Sequence, residues 1–269
     1  MQTIVIDVGA TTITSGLVSK NKITSLTTIP TNRHSSFTNF VLSLKKLIDS
    51  LISSSVKNIV LVVPCVINNE GKITQSFNIP ALKNKNLNLI LKKYYSQKII
   101  IENDANLFIL SQAKLNEKLV LGLTLGSGLG MGIVYQGNLI KGHNGSAGEI
   151  GRIPYLNATF EDYCSEKFFK KNYSLSAKEL YLLAKSGDSL AKKSFKEFAT
   201  HLSEVLLILS QTLNPQTIYI GGGLAKAKPF ISSKITSSLK KRCYYPPKIV
   251  FSTTSGSQLL GANKLLSSK

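Results

Sequence analysis

Residues 99–106 read Ile-Ile-Ile-Glu-Asn-Asp-Ala-Asn, which places a carboxylate between amides directly after three β-branched residues. Three such residues in a row predict a strand buried on both faces. Glu102, Asn103, Asp104 and Asn106 then break the apolar run, and Leu107, Phe108 and Leu110 begin an apolar helix. In open α/β sheets the position just beyond the carboxyl end of a strand is where ligands bind. A carboxylate there, between amides and near a helix N-terminus, can orient a substrate hydroxyl and take its proton. Asn and Asp are also the preferred helix N-caps, and this stretch by itself favours the cap.

Other residues of similar promise are spread along the chain. Asp7 ends an apolar strand pattern, an unfavourable place for charge unless it organises a cation such as Mg²⁺. The turn that follows, Gly9-Ala10-Thr11-Thr12, offers backbone N–H groups and two hydroxyls. Gly126-Ser127-Gly128-Leu129-Gly130 offers the same with less side chain in the way. Consecutive N–H groups in such turns form an anion-binding concavity, and glycine hairpins needing positive φ look alike in sequence. Gly221-Gly222-Gly223 follows another strand and reads either as a flat bed for a nucleotide or as an ordinary strand-to-helix turn. Glu149, among small residues in Gly145-Ser146-Ala147-Gly148-Glu149-Ile150-Gly151-Arg152, is either a hydrogen-bond acceptor for substrate or an exposed acid.

The elements that must position these residues follow from periodicity. Strands are expected at 3–8, 13–18 and 22–29, the last two joined at Lys20-Asn21, then a helix over 36–54. A buried strand at 59–63 is stopped by Pro64, and a polar loop leads to a helix near 87–95. A strand at 98–102 and a helix at 105–115 close the set. The pattern then repeats, with strands at 119–125, 132–135, 137–140, 217–220 and 248–251 and a last helix at 256–266. An extra helical region occupies about 160–212, ended by Asn214-Pro215. Hairpin, helix, strand, helix, strand, twice over, predicts an α/β fold of two duplicated ribonuclease-H-like lobes facing a central cleft, as in actin and hexokinase. The expected division is 1–114 and 115–254, with a helix at about 255–269 packing back on the first lobe.

Composition narrows the class. The chain has 269 residues, 43% of them apolar, enough for a substantial core. No run of 18 apolar residues exists, and the opening residues read as a strand rather than a signal peptide. Cys65, Cys164 and Cys243 share no metal-ligand spacing and suit a reducing cytoplasm. The net charge of +19 comes from lysines spread over the chain, without the aromatic or helix-turn-helix signatures of nucleic-acid binders. Such a charge also attracts an anionic ligand.

Five motifs occur together in a telling order: Asp7-Val8-Gly9-Ala10-Thr11, Glu102-Asn103-Asp104-Ala105-Asn106, Leu125-Gly126-Ser127-Gly128-Leu129-Gly130, Ala147-Gly148-Glu149-Ile150-Gly151 and Ile220-Gly221-Gly222-Gly223. This combination resembles the ROK sugar kinases, from about residue 3 to 265. The resemblance implies that Asp104 is the catalytic base and that Asn103 and Glu149 hold sugar hydroxyls. It places ATP phosphates at the turns containing Gly9, Thr11 and Thr12 and Gly126, Ser127 and Gly128, with Gly222 and Gly223 against the nucleotide. Phe160-Glu161-Asp162-Tyr163-Cys164-Ser165 resembles the segment that supplies a further sugar-binding acid, here Glu161.

Three departures stand out. The family's zinc motif is missing, because Arg152 stands at its His position and only Cys164 lies nearby, so no zinc is expected. Ala10 and Thr12 replace the common Gly and Lys of the first turn. With a strand pattern already at residue 3, the DNA-binding helices of the family's repressors are not expected. Arg152 is either a solvent-facing residue or a cation between Glu149 and Glu161. The expected protein is a cytoplasmic, homodimeric kinase using ATP and Mg²⁺ on the 6-hydroxyl of a hexose or N-acetylhexosamine, glucose or N-acetylmannosamine. The rival reading is a sugar-binding regulator of the same fold with little or no activity.

Overall fold

A computed structural model describes residues 2–19, 22–253 and 257–267. The chain divides into two compact units. One comprises Met1–Gln112, Ile140–Ala147 and Gly256–Lys269, the other Ala113–Leu139 and Gly148–Ser255.

In the first unit the elements run β1 (Gln2–Val8), β2 (Thr12–Ser19), β3 (Lys22–Pro30), α1 (Phe37–Asp49), β4 (Val56–Val63), β5 (Val66–Ile67), β6 (Ile73–Gln75), α2 (Leu87–Leu91), β7 (Lys98–Asn103) and α3 (Asp104–Gln112). The main sheet has the order β3-β2-β1-β4-β7, with β1, β4 and β7 parallel and β2 antiparallel to both of its neighbours, β1 and β3. The apolar run of β4 is covered on both faces, so Ile59, Val60, Leu61, Val62 and Val63 are all buried. Ser36 caps α1 by accepting the Asn39 N–H, and the helix turns Phe40, Val41, Leu44, Leu47 and Ile48 into the core. Each such side chain, fully buried, contributes about 1.5–3 kcal/mol. The last helix, α9 (Ser257–Ser267), packs along α3 in this unit.

The second unit repeats the design. It contains β8 (Leu119–Leu125), β9 (Leu129–Tyr135), β10 (Asn138–Leu139), β11 (Pro154–Tyr155), β12 (Ala158–Thr159), α4 (Phe160–Tyr163), α5 (Glu166–Tyr173), α6 (Ala177–Lys185), α7 (Ser189–Leu213), β13 (Thr217–Gly221), α8 (Lys228–Arg242) and β14 (Lys248–Phe251). Its sheet order, β10-β9-β8-β13-β14, reproduces the first, with β8, β13 and β14 parallel. Two ribonuclease-H-like sheets from one chain are the predicted fold class. Phe195, Phe198, Leu202, Val205 and Leu206 of α7 fill the core, and Asn214 ends that helix in a left-handed conformation.

Several local expectations shift. The helix expected over 36–54 stops at Asp49, and the one expected at 105–115 begins at Asp104 and stops at Gln112. The strand expected at 132–135 starts at Leu129, since Leu129 and Gly130 pair with Leu125 and Thr124. The polar loop after Pro64 holds the short β5–β6 hairpin. The Lys20-Asn21 junction and the start of the helix at 256 lie outside the described residues. No helix among the described residues is long and apolar enough to cross a membrane.

Candidate active site

The first unit gathers Asp7, the Gly9–Thr12 turn and the Asn103-Asp104 pair at the carboxyl ends of β1 and β7, with β4 between them. Parallel pairing does this: Asp7 is level with Val62, and Asn103 with Val63. Asn103 supplies the cap that the sequence offered to either residue. Its Oδ1 accepts from the N–H groups of Ala105 at 2.8 Å and Asn106 at 3.2 Å, and its Nδ2 donates to the Cys65 carbonyl at 3.2 Å. Asp104 accepts the Ala105 N–H, through Oδ1 at 2.9 Å.

Electrostatics sets these two acids apart. Burial pushes the Asp104 carboxyl up to about 6, against the pull of the Ala105 N–H and its own. Burial, and then the neighbouring Asp104 charge, pushes Asp7 up to about 7. Like charges sharing one poorly solvated place disfavour joint ionisation. A carboxylate poised near neutrality beside a second acid is equipped for proton transfer. The same hard oxygen donors, with the Thr11 and Thr12 hydroxyls close in sequence, fit Mg²⁺.

The first turn is tightly bound to its surroundings. Gly9 uses its own N–H on the Thr12 carbonyl at 2.8 Å, so it shapes the turn and does not offer that group outward. Thr31 donates its hydroxyl to the Gly9 carbonyl at 2.9 Å, and Arg33 Nε donates to the Ala10 carbonyl. Neither Thr31 nor Arg33 carries a sequence signal for this role.

In the second unit β8 ends at Leu125, and the glycine turn is closed by Gly126 N–H on the Gly128 carbonyl at 3.0 Å. Glu161 enters this turn. Its Oε2 accepts the Leu129 N–H at 3.2 Å, and its Oε1 takes Lys167 Nζ at 2.7 Å. A Cβ on Gly128 would lie 2.6 Å from that Oε2. Gly221 pairs with Thr124, which brings Gly222 against the end of β8. Gly222 has φ +84°, and a Cβ there would lie 2.3 Å from the Leu125 carbonyl, whereas Gly223 faces open space. The two glycine turns, far apart in sequence, are thus neighbours.

Glu149 precedes a short 3₁₀ turn, Ile150–Arg152, that Arg152 ends, and both are exposed. Gly151 seats this turn beside Glu161, since a Cβ at 151 would approach Glu161 Cβ at 3.5 Å. The 152–165 segment is organised by rings. Tyr155 stacks on Phe160 at 4.4 Å, and its hydroxyl is 3.2 Å from His201 Nδ1. Tyr163 lies 4.7 Å from the same imidazole. Cys164 is fully buried, and burial pushes its thiol well above the usual range. Among the described residues no group of three or more His, Cys, Asp or Glu is arranged to hold a metal ion.

Comparison with known proteins gives this geometry a family. The ROK family model matches residues 3–268. The chain belongs to the ROK family. It is 32% identical over 187 residues to an N-acetyl-D-glucosamine kinase of Photobacterium profundum, a stretch covering 58% of this chain and 61% of that protein. The chain thus spans about three fifths of the length of the N-acetyl-D-glucosamine kinases it matches. A glucokinase of Halalkalibacterium halodurans is 29% identical over 269 residues, covering 82% of this chain and 80% of that one. The crystal structure of a ROK family glucokinase from Streptomyces griseus, in complex with glucose and AMPPNP, has the same fold. It superposes with a TM-score of 0.84 at 20% identity, over 98% of this chain and 99% of that one.

Proposed function

We propose that this ROK protein transfers the γ-phosphoryl group of ATP to the 6-hydroxyl of a hexose or N-acetylhexosamine. The observation that carries this reading is the Asp7–Asp104 pair, two half-buried acids at the ends of β1 and β7, either side of β4, with pKa values raised toward neutrality. Asp104, left uncommitted by the cap that Asn103 provides, takes the proton of the attacking hydroxyl. The sugar O6–Pγ bond forms as the bond from Pγ to the ADP oxygen breaks. Phosphoryl transfer requires positioning and charge stabilisation more than covalent chemistry. Gly126, Ser127 and Gly128 would receive phosphate oxygens, with Gly222 and Gly223 presenting bare backbone to the nucleotide. Asp7 would hold Mg²⁺, directly or through water, which when bound neutralises phosphate charge. Asn103, Glu149 and Glu161 would orient sugar hydroxyls, and Arg152 would supply the cation between the two glutamates.

The names of the relatives support a hexose or a 2-acetamido hexose as acceptor. A 152–165 segment with one thiol and no histidine, organised by a ring cluster, supports a loop that needs no zinc. A loop without zinc should frame the pocket less tightly near C1 and C2 of the sugar, where an N-acetyl group would sit, so N-acetylmannosamine should compete well with glucose. The test is a coupled ADP-release assay over glucose, N-acetylglucosamine, N-acetylmannosamine and fructose, with wild type and Arg152→Ala. Turnover of at least one sugar, altered in its kcat/KM ranking by Arg152→Ala, supports the reading. Sugar binding without turnover of any member of the panel would instead identify a regulator.

A further inference from the structure

Glu102 is a carboxylate only 2% exposed, one residue ahead of the Asn103-Asp104 pair, with no part in the chemistry above. Its Oε1 accepts from the Asn103 N–H at 2.9 Å and from Asn106 Nδ2 at 2.9 Å. Its Oε2 takes the ammonium of Lys141. Glu102 therefore holds residues on both sides of Asp104. Lys141 belongs to the segment Ile140–Ala147, the excursion that groups with the first unit although its chain neighbours belong to the second. That segment is fixed independently. Gly145, at φ +81°, lies so close to β5 that a Cβ would be 1.9 Å from the Ile67 carbonyl. Asn69 Nδ2 donates to the His143 carbonyl at 2.7 Å, and Ala147 N–H to the Lys141 carbonyl at 3.0 Å.

A buried carboxylate stripped of its counter-charge is strongly disfavoured and must protonate or turn toward water. Either response alters the hydrogen bonds at the start of α3. We propose that Lys141 is a positioning residue for Asp104: its ammonium holds the Glu102 carboxylate against Asn103 and Asn106 and so fixes the helix start that carries the base. This rests on the kinase reading for its catalytic consequence, but the geometry of the pair is independent of it.

Lys141→Met removes the charge and keeps most of the stem. Displacing a catalytic group by about an ångström costs on the order of a hundredfold, so kcat should fall by about tenfold to a hundredfold, with KM for ATP unchanged. Glu102→Gln in the same background keeps an oxygen for Asn103 and Asn106 and needs no counter-charge, so it should restore most of the lost kcat. Amide exchange supplies a readout without turnover: Asn103, Ala105 and Asn106 should exchange faster in Lys141→Met and recover in the double variant. Wild-type kcat in Lys141→Met, or no recovery on adding Glu102→Gln, overturns the proposal. If Lys141→Met does not fold, the double variant is compared with Glu102→Gln alone. Equal kcat supports the proposal, and a tenfold deficit in the double variant sinks it. A wild type that turns over no sugar refutes the kinase reading, while the exchange pattern still decides the role of the pair.

Discussion

Glu161 Oε2 lies 3.2 Å from the Leu129 N–H, in the space a side chain at position 128 would need. The acid proposed to bind sugar is therefore held by the turn proposed to bind phosphate. Gly128→Ala should displace the carboxylate, because the atom in its way is the far end of a flexible side chain. Folding should change little. KM for the sugar should rise about tenfold or more, the scale of a lost hydrogen bond to a charged group. An unchanged sugar KM would detach Glu161 from substrate binding.

Asp104→Asn retains an oxygen for the Ala105 N–H but cannot accept a proton. We expect unchanged sugar affinity and a kcat lower by roughly a hundredfold or more. In the wild type the base must be ionised, so kcat/KM should decline as pH falls through about 6, where Asp104 titrates. Near wild-type turnover in the variant would refute the assignment.

Gly222 and Gly223 separate fold from function. Gly222→Ala places a Cβ 2.3 Å from the Leu125 carbonyl at a φ that L-residues avoid. It should destabilise by about 1–3 kcal/mol, visible as a lower Tm. Gly223→Ala enters open space and should leave Tm nearly unchanged. If nucleotide lies on that backbone, it raises KM for ATP. If KM and Tm both hold, the second turn is merely structural.

Periodicity and terminators carried most of the architecture. The largely apolar β8 ends at the glycine turn as expected, and Asn214-Pro215 stops α7. The β5–β6 and β11–β12 hairpins were hidden because strands of two or three residues show no period. Asp7 and Asp104 announced themselves as charge after apolar strands. Arg33 and Lys141 did not, since their partners, Ala10 and Glu102, are fixed by tertiary pairing between distant residues. A surface lysine and a tethering lysine look the same in sequence.

His201 gives a stability test outside the proposed chemistry. Burial lowers its pKa below the ordinary 6.5, against the pull of Glu197 and Glu204. A group with a depressed folded pKa favours its neutral form in the fold. For a histidine, that contribution is present above about 6.5 and is lost as pH falls through the folded value. Thermal melts at pH 8 and pH 5 should therefore show a smaller acid-side loss in His201→Asn than in wild type. Equal losses would mean the fold leaves the His201 pKa unshifted.

One helix of the first unit is made only after the second unit. Gly261 of α9 meets α3 so closely that a Cβ would sit 2.0 Å from the Leu107 carbonyl, so the two backbones touch. During synthesis, residues 2–112 emerge early but lack α9 until the whole second unit has left the ribosome. Vectorial folding is thereby inverted: the later unit has all its parts first, and the earlier one waits with α3 uncovered. A nascent chain paused before residue 257 should thus expose the apolar flank of α3 to chaperones.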